Sequence, residues 1–187
     1  MAIPCYVSGK GMFATASTWS FKTAVIDALE STGLGYDTRY RYYRRQFPDM
    51  EARQLARMIC DPMERYDRDW PAYRERHRDT GDDIHLATAF MLELDDRFRA
   101  EAQVALACYD EAGFGSGVNA MVFLQAGKPI LGFYHPDHLG PSLNLSNILQ
   151  LELAYPELVT LVEYHSLEDI TSTVIRYLEQ LPAGHLP

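Results

Sequence analysis

The feature that most restricts this chain is the run Val104-Ala105-Leu106-Ala107-Cys108, apolar at every position and bounded by Gln103 and Tyr109. A strand with one wet face alternates polar and apolar residues, whereas a strand covered by helices on both faces does not. The run is also too short for a buried helix. It predicts the central strand of a parallel sheet, and parallel neighbours need long crossover connections, usually helical.

The rest of the sequence supplies those crossovers. Residues 3–8 read as the first strand, 20–31 as a helix closed by Gly33, and a second strand starts near Tyr36. Residues 129–134 and 158–164 repeat the short apolar pattern, 118–125 is a helix ended by Gly127, and 167–181 is a closing amphipathic helix. Ile84, Ala87, Thr88, Met91, Leu92, Asp95 and Phe98 follow helical spacing, and this stripe is expected to face the core. Five strands alternating with helices predict an α/β chain: a Rossmann-like (flavodoxin-like) three-layer fold with a five-stranded, mainly parallel sheet.

At 187 residues and 47% hydrophobic, the chain is expected to form one domain whose core needs neither disulfides nor a structural metal. Cys5, Cys60 and Cys108 are far apart, form no CxxC pair and are odd in number, which fits reduced thiols in a cytoplasmic protein. The opening residues lack a basic stretch leading into an apolar run, and no apolar segment approaches the roughly 20 residues a bilayer requires. Neither secretion nor a membrane partner is expected.

The net charge of −9 argues against binding a nucleic-acid polymer, because such affinity comes mainly from lysine and arginine on phosphates. Yet residues 39–78 hold 11 of the 17 basic residues against 7 acidic ones. This stretch reads as a helical, Arg-rich insertion at about 39–80, with Pro48, Pro62 and Pro71 breaking it into pieces. Two readings stand: a solvated face of charge pairs, or a lid bringing arginine to an anionic substrate.

In an open parallel sheet, ligands bind beyond the carboxyl ends of the strands. Two loops there are rich in glycine: Ser8-Gly9-Lys10-Gly11, and residues 110–117, which contain Asp110, Glu111, Gly113, Gly115, Ser116 and Gly117. Glycine lets backbone approach a ligand closely, although tight turns use it with no ligand present. Neither loop has Walker spacing, and Ser116 lacks the glycine two residues further on that a nucleophile elbow requires. Asn119 sits one turn into the helix after the second loop. His135, Asp137 and His138 read as a surface loop rather than metal ligands, and neither a metal nor a cofactor is expected.

Tyr6 with Ser8 and Gly9 after the first strand, Asp110 at the end of the apolar strand, Gly115-Ser116-Gly117 opening a helix, and Gly127-Lys128-Pro129 before the next strand recur in this order in a known family. In these motifs the chain resembles the nucleoside 2-deoxyribosyltransferases and the related nucleotide N-glycosidases. The resemblance covers residues 103–146 best, is faint over 3–33 and is absent over 39–80. It implies a small-molecule nucleoside or nucleotide ligand held by Tyr6, Ser8, Gly9, Gly115, Ser116, Gly117 and Asn119. It also implies a homodimer or higher homo-oligomer in which Asn144 reaches a neighbouring subunit. The stretch 147–154, with Ile148, Leu149, Leu151 and Leu153 on more than one face, fits burial against a partner.

The departures bear on chemistry. The family's aspartate before Ser-Gly is Gly115 here, and its nucleophilic glutamate is Met121. A thioether cannot form the glycosyl ester, so family-type transfer is not expected. A nucleoside- or nucleotide-binding protein is the first expectation. The alternative is an N-glycosidase or transferase with a rearranged carboxylate set, Asp110 and Glu111 being the catalytic candidates.

Overall fold

The computed structural model describes residues 2–10, 14–60, 62–77, 83–138 and 145–181. Among them, five strands form one all-parallel sheet: β1 (Ile3–Ser8), β2 (Gly35–Asp37), β3 (Val104–Cys108), β4 (Ile130–Tyr134) and β5 (Val159–Glu163). Their spatial order is β2-β1-β3-β4-β5, the flavodoxin-like arrangement. The fold is α/β with three layers. β3 is central and buried at every residue, paired with β1 from Cys5↔Val104 to Ser8↔Ala107 and with β4 from Ala105↔Ile130 to Cys108↔Phe133.

The described helices are α1 (Ala16–Thr32), α2 (Thr38–Gln46), α3 (Ala52–Cys60), α4 (Pro62–Arg76), α5 (Asp83–Glu101), α6 (Phe114–Gln125), α7 (Leu145–Ala154) and α8 (Leu167–Gln180). Right-handed crossovers from β1 leftward to β2 and from β3 rightward to β4 and β5 put α1 on one face and α6 and α7 on the other. α8 returns to pack on α1. Between the layers lies one large core, to which Phe21, Phe98, Phe123, Phe133, Leu106 and Leu131 contribute fully buried side chains.

Glycine stop signals hold as the sequence predicts. Gly33 has φ +66° and its N–H bonds Leu29 O at 3.0 Å, and Gly127 has φ +67° just past α6. Helix starts are earlier than expected: α1 begins at Ala16 rather than Ser20, and α6 at Phe114 rather than Val118. Gly115, Ser116 and Gly117 therefore occupy the first turn of α6, where weak propensity is offset by burial of Ala120, Phe123 and Leu124 further along.

Two other expectations change. Pro71 does not break the insertion: α4 runs through it, giving up one backbone hydrogen bond, while Pro62 takes the first helical position, where its missing N–H costs nothing. The face of α5 is also rotated. Its buried apolar residues are Leu86 and Phe90, which meet Tyr73 of α4, and Phe98, which joins the main core. Thr88 and Leu92 are exposed and Asp95 is only half-buried, so most of the expected core stripe faces elsewhere; the side chain of Ile84 lies outside the described residues.

A close approach explains Gly132 on β4. A Cβ there would lie 2.5 Å from Tyr109 Cε2 and 2.7 Å from Leu161 Cδ2. Gly132→Ala is predicted to destabilise the fold by about 1–3 kcal/mol, read as a lower urea midpoint. An unchanged midpoint would contradict this packing.

Candidate functional site

β1 connects to β2 on one side and β3 to β4 on the other, so the loops after β1 and β3 part above the sheet. A cleft of about 500 Å³ opens there. One wall is the end of β1 with its following turn: Tyr6, Ser8, Gly9 and Lys10. Facing it is the start of α6, with Gly113, Gly115, Ser116, Val118 and Asn119. α5 closes the remaining side with Thr88, Met91, Leu92, Asp95 and Arg99, and Lys22 and Arg39 enter from α1 and α2.

Each wall is fixed by packing or hydrogen bonds. A Cβ on Gly9 would come within 3.2 Å of Thr18 Cγ2 and 3.3 Å of Cys108 Cβ, so the β1 turn lies tight on α1 and β3. Lys22, almost fully buried, donates to Lys10 O at 2.8 Å and holds the same turn from below. Arg39 lies over Tyr6, its Cζ 4.4 Å from the ring centre, pairs with the buried Asp37 at 3.2 Å, and donates to Val7 O. Arg99 donates to Asn119 Oδ1 at 2.6 Å and pairs with Asp96, joining α5 to α6 across the cleft.

Asp110 and Glu111 follow β3 but turn away from each other, and neither lines the cleft. Asp110 is fully buried toward β4 and β5. It accepts from His135 N–H at 2.7 Å and from the Tyr164 hydroxyl, with His138 Nδ1 at 3.5 Å. Burial and the hydrogen bond to Asp110 push the Tyr164 phenol well above its usual range. Glu111 accepts from Thr15 N–H at 2.9 Å, Thr15 Oγ1 at 2.8 Å and Thr18 Oγ1 at 2.7 Å, and meets Lys10 Nζ at 3.4 Å. Burial alone would raise its carboxyl pKa, but the bonds from Thr18 and Thr15 and the Lys10 charge outweigh it and leave the value below normal.

Of the residues singled out from the sequence, the cleft brings together Tyr6, Ser8, Gly9, Gly115, Ser116 and Asn119. Gly117 is exposed outside the lining, and Met121 also lies off the cleft on the exposed side of α6. Asn144 and Gly11 lie outside the described residues. On α7, Ile148 is buried, Leu149 and Leu151 are half-buried and Leu153 is exposed. Of the Arg-rich stretch, only Arg39 lines the cleft among the described residues.

Sequence reasoning missed Lys22, Thr88, Asp95 and Arg99 as site residues. A signal was present: Thr88 and Asp95 are polar residues inside a stripe read as core, and Arg99 lies one helical turn beyond Asp95. A second cavity of about 480 Å³ lies among α2, α4 and α5, away from the strand ends. Its Tyr73 hydroxyl is bonded to Glu93, and Arg97 covers Tyr42.

No protein-family model matches this chain, and no curated protein matches it. Among the described residues, no group of three or more His, Cys, Asp or Glu side chains is placed to hold a metal ion, and no helix is long and apolar enough to cross a membrane. The site therefore rests on its own geometry.

Because the Glu111 pKa is lower folded than unfolded, its contribution to stability is complete above the unfolded value of about 4.3 and fades as pH falls through the folded value. Glu111→Gln should lower the melting temperature at pH 7, with the gap to wild type narrowing in acid below about pH 4. A gap that stays constant with pH would contradict this account.

Proposed function

We propose that the cleft binds a nucleoside or nucleotide and that the chain performs no glycosyl transfer of the deoxyribosyltransferase type. The observation that carries this reading is the meeting, at the switch point of a parallel sheet, of backbone from two glycine-containing turns: Gly9 on one side, Gly113 and Gly115 on the other. The volume of about 500 Å³ suits a ligand of nucleotide size. Met91, Leu92 and Val118 offer apolar surface to a flat base, while Ser8, Ser116 and Asn119 offer polar groups to a sugar. The cations Lys10, Lys22, Arg39 and Arg99, with Asp95 the one carboxylate among the lining residues, favour an anionic group on the ligand. Arg99 Nε has no hydrogen-bond partner among the described residues, so its side chain is not saturated by the chain itself.

The absence of transfer follows from where the carboxylates are. Cleaving an N-glycosidic bond asks for an acid at the leaving base and a carboxylate at the cationic sugar. Asp110 and Glu111 are committed to structural hydrogen bonds outside the cleft, and Met121 stands outside it too. The alternative of an N-glycosidase or transferase is left with Asp95, which lines the cleft one helical turn before Arg99.

Titration calorimetry with a panel of nucleosides and their 5′-monophosphates tests the proposal. At least one member is expected to bind, and Arg99→Met to weaken a phosphorylated ligand by roughly tenfold or more, the loss expected of a hydrogen bond to a charged group. Base exchange by the unmodified protein should stay at background. Absence of binding across the panel, or efficient exchange that Asp95→Asn abolishes, would refute the reading.

A further inference from the structure

Among the described residues the Arg-rich stretch sends only Arg39 to the cleft, and its helix α4 lines a different space. The buried apolar residues of α4 and the first half of α5, Tyr73, Leu86 and Phe90, form a cluster of their own, separate from the main core to which Tyr43 and Phe98 belong. Between the two clusters lies the cavity of about 480 Å³, a volume within the range of small-molecule sites. Its aromatic walls are Tyr42 and Tyr43 of α2, Tyr73 of α4, and Phe90 and Phe98 of α5. The ring centres of Tyr73 and Phe90 are 4.9 Å apart on one side, and those of Tyr42 and Phe98 are 5.5 Å apart on the other. Such pairs offer faces and edges on which another flat ring can pack.

The charges in this cavity are held apart rather than paired. Glu93 and Arg97 stand at i and i+4 on α5, the spacing at which a helix ordinarily joins opposite charges. They do not meet: Glu93 accepts from the Tyr73 hydroxyl at 2.8 Å, and Arg97 lies over Tyr42, its Cζ 4.1 Å from the ring centre. Arg76, one helical turn beyond Tyr73 on α4, leans over that ring at 5.9 Å and uses only its Nε on the chain, donating to Ala72 O at 3.3 Å. Among the described residues neither arginine is within ion-pair distance of a carboxylate. A solvated face of charge pairs would have closed these contacts. A guanidinium lying over a ring keeps its in-plane N–H groups available to an anion.

The signs of the lining charges select the occupant. Asp69 and Glu93 oppose a simple anion, and Arg76 and Arg97 oppose a simple cation. A ligand that carries both charges beside a flat ring meets all of them. A peptide terminus carries only one of the two charges and does not. We propose that the cavity among α2, α4 and α5 is a second binding site, for a free aromatic α-amino acid. The ring lies between the two aromatic pairs, the carboxylate faces Arg76 and Arg97, and the ammonium faces Glu93. This site shares no lining residue with the cleft and is independent of what the cleft holds.

Titration calorimetry of the full chain with L-phenylalanine and L-tryptophan tests this. The controls are hydrocinnamate and indolepropanoate, which lack the ammonium, phenethylamine and tryptamine, which lack the carboxylate, and L-leucine, which lacks the flat ring. At least one of the two aromatic amino acids is expected to bind, and its controls to bind roughly tenfold more weakly or worse, the scale of one lost hydrogen bond to a charged group. Arg76→Gln and Arg97→Gln are each expected to weaken it by a similar factor, and Ala72→Trp, which fills the cavity, to abolish binding, all with wild-type far-ultraviolet circular dichroism. No binding of either amino acid at millimolar concentration would overturn the proposal. So would controls that bind as tightly as the amino acid, or binding that survives Ala72→Trp and both arginine substitutions unchanged.

Discussion

The end of β1 depends on a buried ion pair. β2 is only three residues long and pairs with Ile3, Pro4 and Cys5, so the sheet runs out before the backbone of Val7 is satisfied on that side. Asp37 and Arg39 complete it with side chains: Asp37 accepts Val7 N–H at 2.9 Å, and Arg39 donates to Val7 O. The same carboxylate caps α2 through the amides of Arg39 at 3.0 Å and Tyr40 at 2.9 Å. One aspartate thus finishes the strand, starts the inserted helices and neutralises the arginine that forms the cleft wall over Tyr6. Removing either partner leaves the other's charge buried, which typically costs about 3–5 kcal/mol.

The other acidic residues at the carboxyl end of the sheet act in the same way. Asp110 ties the β3 turn to β4 and β5 through His135 and Tyr164, and Glu111 ties it to α1 through Thr15 and Thr18. These bonds hold the loops in register over the sheet, and they also remove both carboxylates from the chemistry available in the cleft. What remains there is apolar surface from Met91, Leu92 and Val118, the cations Lys10, Lys22, Arg39 and Arg99, and one carboxylate, Asp95.

The legible parts of the sequence were those set by local physics. An unbroken apolar run fixed β3 at the centre, and Gly33 and Gly127 ended helices where only glycine sits easily. The rotation of α5 was not legible, because which apolar residues of a mixed stripe turn inward depends on partners distant in sequence: Leu86 and Phe90 follow Tyr73, and Phe98 follows Tyr42 and Tyr43. That rotation is what delivers Asp95 and Arg99 to the cleft. The directions of Asp110 and Glu111 were likewise beyond reach, since adjacency in a turn leaves both orientations open until Tyr164 and Thr18 are placed.

The central claim is that the space between Gly9 and the start of α6 is a nucleotide site. A crystal of the protein soaked with a mixed panel of nucleosides and nucleotides tests it most directly. The account predicts density in the cleft, with the base against Leu92 or Val118 and an anionic group within reach of Arg99. Ligand density confined to the aromatic cavity among α2, α4 and α5, or a cleft left to solvent at saturating ligand, would contradict it.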